Sequence, residues 1–123
     1  MIICISSKGK DLNSEVDPRF GRCPYFLIIN TEEMEKIEYI SNESAMTAGG
    51  AGIQAAQTVT KAGVEVVITG NIGPNAFQTL SSAGIKIVTG ATGTIKEILE
   101  KYDKDEFKEI QAPTVGSHAG MRG

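Results

Sequence analysis

The chain has few of the residues on which most catalytic and metal centres depend. Its 123 residues include two cysteines, one histidine and no tryptophan. Two thiols without a CxxC pair encode neither a closed zinc site nor an iron–sulfur site held by cysteines alone. The single histidine, His118, argues against a Ser/His/Asp triad, and a dyad of Cys23 and His118 has no third residue to orient it. We therefore expect a binding protein and not an enzyme.

Other absences limit the partners and the location. No apolar run approaches the ~20 residues that span a bilayer. The first residues, Met1 to Ile5, have neither a basic stretch before them nor a small-residue cleavage site after them. The net charge of −3 gives no general attraction for nucleic acid or for acidic membranes. These features predict a cytoplasmic protein with no nucleic-acid or membrane partner.

The common nucleotide motifs are also absent or out of context. No GxxxxGK run followed by Ser or Thr occurs. The spacing of Gly50, Gly52 and Ala55 formally matches a dinucleotide fingerprint, but the preceding segment, 41–48, does not have the pattern of a strand. The next predicted strand is followed by Gly-Asn and lacks the acidic residue that binds ribose. The first predicted strand carries no carboxylate, which argues against two-metal phosphoryl chemistry.

The first half of the chain has the pattern of a small antiparallel unit. Apolar runs rich in β-formers predict strands at 1–6 and 25–30, and the alternation along 36–40 predicts a third, half-exposed strand. The segment 31–35 between the last two is short and polar, so an antiparallel hairpin is expected there. The polar segment 8–22 predicts a long loop.

The second half repeats a strand, a glycine-rich turn and a helix. The predicted strands are 64–69 and 85–88, and the predicted helices are 53–62, 74–83 and 95–102. This alternation requires parallel strands joined by right-handed crossovers, so the whole is an α/β protein with a five-stranded mixed sheet. We predict one domain over 1–104. Residues 105–123 are charged and then rich in Gly, Pro and Ser without periodicity, which predicts a flexible tail.

Three glycine-rich turns indicate where a ligand would bind. In open α/β sheets, ligands bind beyond the carboxyl ends of the parallel strands. Turns 70–73 and 90–93 follow such strands, and turn 49–52 opens another helix. Glycine allows a ligand to approach the backbone, and the free N–H groups of a first helical turn attract anions. Each turn alone is explained as a connector, but together they predict an anion site on one rim. The backbone candidates are Gly49, Gly50, Gly52, Gly70, Asn71, Gly73, Gly90 and Gly93.

One run of residues points to a family. The segment 17–26, DPRFGRCPYF, resembles the signature of the dinitrogenase iron–molybdenum cofactor-binding family, and the runs at 50–53 and 69–74 fit the same pattern. The resemblance extends from Met1 to about Tyr102. It implies a ribonuclease H-like α/β/α fold with a five-stranded mixed sheet. It also implies binding of a preformed metal–sulfur cluster, such as the iron–molybdenum cofactor or a molybdenum–copper sulfide. The partners would be cluster donor or acceptor proteins.

Four side chains are candidates for contact with such a cluster. Arg19 and Arg22 are suited to bind sulfide or oxo groups as charge-assisted donors, although one of them is expected to pair with Asp17 instead. Arg19 is the stronger candidate for that structural role. Cys23 as a thiolate and His118 as a neutral imidazole are candidate metal ligands. The alternatives are that Cys23 only packs and that His118 is solvated.

Two functions of different class remain open at this stage. The first is a carrier or scaffold for a metal–sulfur cluster. The second is a regulatory domain that senses a small anion without metal, or that docks a partner protein, through the same cleft. An enzyme ranks third, behind these two functions, because no general acid–base pair or activated nucleophile is visible in the sequence.

Overall fold

The computed structural model describes residues 1–33, 36–43, 50–104 and 113–114. These residues form five strands and three helices. In chain order they are β1 (Ile2–Ser7), β2 (Tyr25–Asn30), β3 (Ile37–Ser41), α1 (Ala51–Lys61), β4 (Val66–Ile68), α2 (Pro74–Ser82), β5 (Lys86–Val88) and α3 (Ile95–Asp103). The predicted elements are confirmed, with bounds that differ by at most two residues.

The strands form one mixed sheet in the order β3-β2-β1-β4-β5. The hairpin of β2 and β3 is antiparallel, and β1 is antiparallel to β2. On its other side β1 runs parallel to β4, which is parallel to β5. The central strand therefore joins the two halves of the chain, and its residue Cys4 lies between Ile28 and Val67.

The sheet has a core on each face. Alternate residues of a strand point to opposite faces, so Cys4 packs towards α1 and α2, whereas Ile3 and Ile5 pack towards α3. All three side chains are fully buried, and burial of each isoleucine contributes about 1.5–3 kcal/mol. Cys4 is thus a core residue. The result is an α/β/α arrangement with two helices on one face and one on the other.

The helix ends follow the local sequence. Helices α1 and α2 stop just before Gly63 and Gly84, which adopt φ values of 77° and 78°, a conformation that favours glycine after a helix. Helix α3 begins with a capping box in which Thr94 and Glu97 satisfy each other's backbone amides. Neither α1 nor α2 has a side-chain cap at its start. No helix in the described part of the chain is long and apolar enough to cross a membrane.

Candidate anion-binding cleft

Three loops meet in a cleft beyond the carboxyl ends of β1 and β4. The cleft has a volume of about 530 Å³, and it is lined by residues 18–22, 50–53 and 71–76. We call it the amide cleft. It contains the loop that precedes β2, the start of α1 and the start of α2. Two of the three predicted glycine-rich turns are therefore brought together as the sequence suggested.

Close backbone contacts hold these loops together. A Cβ atom on Gly70 would lie 2.6 Å from Cα of Pro18, and one on Gly21 would lie 3.0 Å from Cα of Gly52. The amide of Asn71 donates to the carbonyl oxygen of Pro18 at 2.7 Å. Gly70, predicted to contact the ligand, is buried beneath Pro18 and does not line the cleft. Its missing side chain serves the packing of two loops.

The starts of α1 and α2 supply unpaired amides to the cleft. Residues 51–53 of α1, together with 73, 75 and 76 at the start of α2, have amides with no hydrogen-bond acceptor among the described residues. Pro74, the first residue of α2, has no N–H. Unpaired amides at a helix start carry partial positive charge, equivalent to roughly half an elementary charge per helix. Gly50, Gly52 and Gly73, three of the backbone candidates, line this part of the cleft.

The third predicted turn does not contribute, and the expectation that three helix starts share one rim is wrong for α3. Gly90 and Gly93 lie outside the cleft lining. The first α3 amides, in the segment 95–97, are already occupied. Two of them donate to the carbonyl oxygens of Ser14 and Leu12 at 2.9 and 3.0 Å, and the third donates to the cap hydroxyl of the same helix. The long loop after β1 thus fills the position that an anion would take.

Arg19 is held by a buried carboxylate. Asp17 is 1% exposed, and it accepts hydrogen bonds from the backbone amide of Arg19 at 2.9 Å and from Nε and Nη2 at 3.1 Å. Burial alone would raise the pKa of Asp17, but the hydrogen bonds and charge of Arg19 lower the pKa below its ordinary value. The expected pairing of Arg19 with Asp17 is confirmed. The Arg19 side chain remains 66% exposed at the cleft, where the carboxylate fixes its orientation.

The remaining side chains at the cleft favour an anion. Arg22 is exposed and lines the cleft, and its amide donates to the carbonyl oxygen of Arg19 at 3.2 Å. Asn71 and Asn75 are also exposed and line the cleft. No carboxylate is present among the described residues that line the cleft. Two guanidinium groups and the partial charges of two helices therefore give the cleft a positive potential, offset in part by Asp17.

Cys23 lies in the core and not in the cleft. It is fully buried, and its thiol donates to the carbonyl oxygen of Phe20 at 3.2 Å, while Nδ2 of Asn42 lies 4.0 Å from the sulfur. Burial, and secondarily the charge of Asp17, raises the pKa of Cys23 to about 12. The thiolate is the form that binds a metal, so this environment does not favour ligation. The position of Cys23 gives its predicted role as a metal ligand no support.

Two predicted site residues, Gly49 and His118, lie outside the described residues. Within the described ranges no group of three or more His, Cys, Asp or Glu side chains is placed to hold a metal ion. What the described part of the cleft offers a ligand is hydrogen-bond donors and positive charge.

One residue at the cleft was missed by the sequence patterns. Thr114 falls within the predicted tail, yet its hydroxyl accepts from the amide of Ile72 at 2.7 Å and its own amide donates to the carbonyl oxygen of Ile72 at 3.0 Å. Ile72 lines the amide cleft. The remainder of the predicted tail, apart from residues 113–114, lies outside the described ranges. No periodicity or motif around Thr114 indicates this contact.

A second groove, of about 590 Å³, lies at the other end of the sheet beside α3. Its lining includes the apolar side chains of Met1, Leu12 and Tyr102, and also the carboxylates of Glu100 and Asp103. It lies at the start of β1, away from the carboxyl ends of the parallel strands, where ligands of such sheets bind. The amide cleft is therefore the better candidate.

Comparison with known proteins gives a family match over most of the chain. A family model described as dinitrogenase iron-molybdenum cofactor matches residues 1–105. Among curated proteins, the uncharacterized protein MJ0580 of Methanocaldococcus jannaschii is 29% identical over 101 residues, which cover 80% of this chain and 86% of the relative.

Solved structures agree with the fold. The orange protein of Desulfovibrio gigas, determined in its apo form, is 35% identical, and the match covers 92% of this chain and 95% of that one with a TM-score of 0.88. A Thermotoga protein, solved by NMR and named as a candidate NifB protein, is 37% identical over 88% of this chain and 91% of its own, with a TM-score of 0.77. The predicted α/β fold with a five-stranded mixed sheet is confirmed.

Proposed function

Because the chain belongs to the dinitrogenase iron-molybdenum cofactor family, we propose that it binds a preformed metal–sulfur cluster and carries it as a small cytoplasmic accessory protein. In this proposal the cluster is cargo that passes between donor and acceptor proteins, and the chain catalyses no reaction on it. The observation that supports the proposal is the amide cleft. There, two uncapped helix starts and two arginines face a space that no described carboxylate lines.

The chemistry of the cleft suits the outer atoms of such a cluster. Sulfide and oxo groups carry negative charge and accept hydrogen bonds. The amides at 51–53, 73, 75 and 76, which have no acceptor among the described residues, are donors already placed at the cleft. Arg19 and Arg22 add charge-assisted donors in the planar geometry of guanidinium. His118 remains a candidate metal ligand from the C-terminal segment, whereas Cys23 would first have to leave its buried position.

The test is anaerobic reconstitution of the purified chain with iron, sulfide and molybdate, followed by desalting. Metal content and charge-transfer absorption are then measured. We expect stoichiometric metal–sulfur binding to the wild type. Arg22→Ala should weaken binding by about tenfold or more, because a hydrogen bond to a charged group contributes about 1.5–3 kcal/mol. Lys61→Ala, which removes an exposed cation at the far end of α1, is the matched control and should leave binding unchanged. Failure of the wild type to retain any cluster would contradict the proposal.

The alternative is that the cleft takes a small anion without metal, in a sensing or protein-interaction domain. The observation that favours it is that the described residues offer no cluster of metal-ligating side chains. Titration of the metal-free chain with sulfate and with small dicarboxylates tests this function. Saturable binding that the reconstituted cluster does not displace would support the alternative. A double variant, Cys23→Ala with His118→Ala, adds a second criterion, because a metal-free ligand should bind it as it binds the wild type.

A further inference from the structure

We infer that Thr114 is a positioning residue for the amide cleft. In this inference Thr114 fixes the loop that leads into α2, and its contact with that loop is thereby coupled to occupancy of the cleft. The inference rests on the proposed function, since it concerns how the same cleft holds its anion.

The contact between Thr114 and Ile72 uses three hydrogen bonds. The hydroxyl of Thr114 accepts from the Ile72 amide at 2.7 Å and donates to the Ile72 carbonyl oxygen at 3.2 Å. The amide of Thr114 donates to the same carbonyl oxygen at 3.0 Å. One residue therefore satisfies both backbone polar groups of another residue that is 42 positions away in the chain. We call this contact the Thr114 clasp.

The Thr114 clasp fixes the backbone of Ile72, which the other described contacts of this loop do not hold. Asn71, the residue before Ile72, is fixed by its 2.7 Å bond to Pro18, and Gly70 accepts from the amide of Gly90 at 2.9 Å. The Ile72 side chain is 1% exposed and is anchored in the core. Within the described residues, the backbone groups of Ile72 are held by Thr114, and the next amide in the chain, at residue 73, is one of the unpaired donors of the cleft.

The consequence is a thermodynamic linkage. Donors that are already fixed bind a ligand without a further loss of conformational freedom, so loss of the clasp should weaken anion binding. Because coupling between two events is reciprocal, an anion in the cleft should stabilise the clasp by the same factor. The contact between Thr114 and Ile72 would then be more persistent when the cleft is occupied.

The experiment uses the full chain and the dianion tetrathiomolybdate as the probe. Thr114→Val keeps the shape of the side chain but removes the two hydroxyl bonds, and Thr114→Ser restores a hydroxyl. Thr58→Val removes a comparable hydroxyl bond, to Gln54 on α1, and is the control. We expect hydrogen exchange of the Ile72 amide to be about tenfold faster in Thr114→Val without ligand, and wild-type exchange in Thr114→Ser and Thr58→Val.

Probe affinity is the second readout. We expect tetrathiomolybdate to bind Thr114→Val about fivefold more weakly than the wild type, within the usual range of coupling between sites. We also expect the probe to slow exchange of the Ile72 amide in the wild type. Equal affinity of Thr114→Val and wild type, whether or not exchange changes, overturns the inference and leaves the proposed function intact. If the wild type itself binds no metal–sulfur anion, the proposed function fails, and the inference falls with it.

Discussion

Replacement of Gly70 by alanine tests the packing that brings the cleft loops together. A Cβ atom at this position would lie 2.6 Å from Cα and 2.7 Å from Cβ of Pro18, whereas carbon atoms in contact lie about 3.5–4.0 Å apart. The two loops would have to separate by roughly 1 Å. Overpacking of this kind costs about 1–3 kcal/mol. Weakening of the bond from Asn71 to Pro18 adds about 1 kcal/mol. We therefore expect Gly70→Ala to lower the free energy of unfolding by about 2–4 kcal/mol.

The assay is urea unfolding followed by far-UV circular dichroism, because the chain has no tryptophan to report by fluorescence. A lower midpoint at an unchanged m-value would show loss of stability alone. Gly63→Ala is the matched control. A Cβ at Gly63 meets nothing within 4 Å, but φ there is 77°, so only the conformational cost of about 1 kcal/mol is expected. Stability of Gly70→Ala within about 0.5 kcal/mol of the wild type would refute the close approach of these loops.

Three further predictions concern other residues. Asp17→Asn should destabilise the fold by about 1 kcal/mol at pH 7. The folded-state pKa of Asp17 is lowered, so its contribution to stability is complete above the ordinary carboxyl pKa of about 3.9. That contribution is lost as the pH falls through the lower folded-state pKa. The urea midpoints of the variant and the wild type should therefore converge in acid. Burial raises the pKa of Cys23 to about 12. Its alkylation by iodoacetamide at pH 8, measured by mass spectrometry, should therefore be roughly a thousandfold slower in the native chain than in urea. Rapid labelling of the native chain would contradict the burial of Cys23. Thr94→Ala removes the α3 cap and should cost about 1 kcal/mol in chemical unfolding, and an unchanged midpoint would exclude the capping box.

Side-chain periodicity was sufficient to predict most of the fold. The apolar run at 25–30 and the alternation at 36–40 predict the hairpin, and a glycine such as that at position 63 is typical of a helix end. These signals are local, because they depend on which face of one element is buried. The pairing of Asp17 with Arg19 is also local, since the two residues are two positions apart.

The structural features that the sequence patterns do not predict depend on contacts that involve backbone groups far apart in the chain. The amides of α3 are occupied by the carbonyl oxygens of Leu12 and Ser14, and every residue type carries a carbonyl, so no pattern marks them. Cys23 lies between Arg22 and Pro24, and these neighbours do not indicate that it is buried. Its burial is completed by Asn42, which donates to its carbonyl oxygen at 2.8 Å from 19 positions away.

The occupied start of α3 bears on which substitutions can alter the amide cleft. The carbonyl oxygens of the loop after β1 occupy the first amides of α3, so that helix start offers no such donor to a ligand in the amide cleft. At the cleft itself, the peptide N–H groups persist under almost any substitution other than proline, whereas Arg22, Asn71 and Asn75 contribute side chains that a substitution would change. If the cleft binds an anion as proposed, substitutions at these three positions would change its selectivity while the backbone donors remain, and proteins of this fold would then bind different anions.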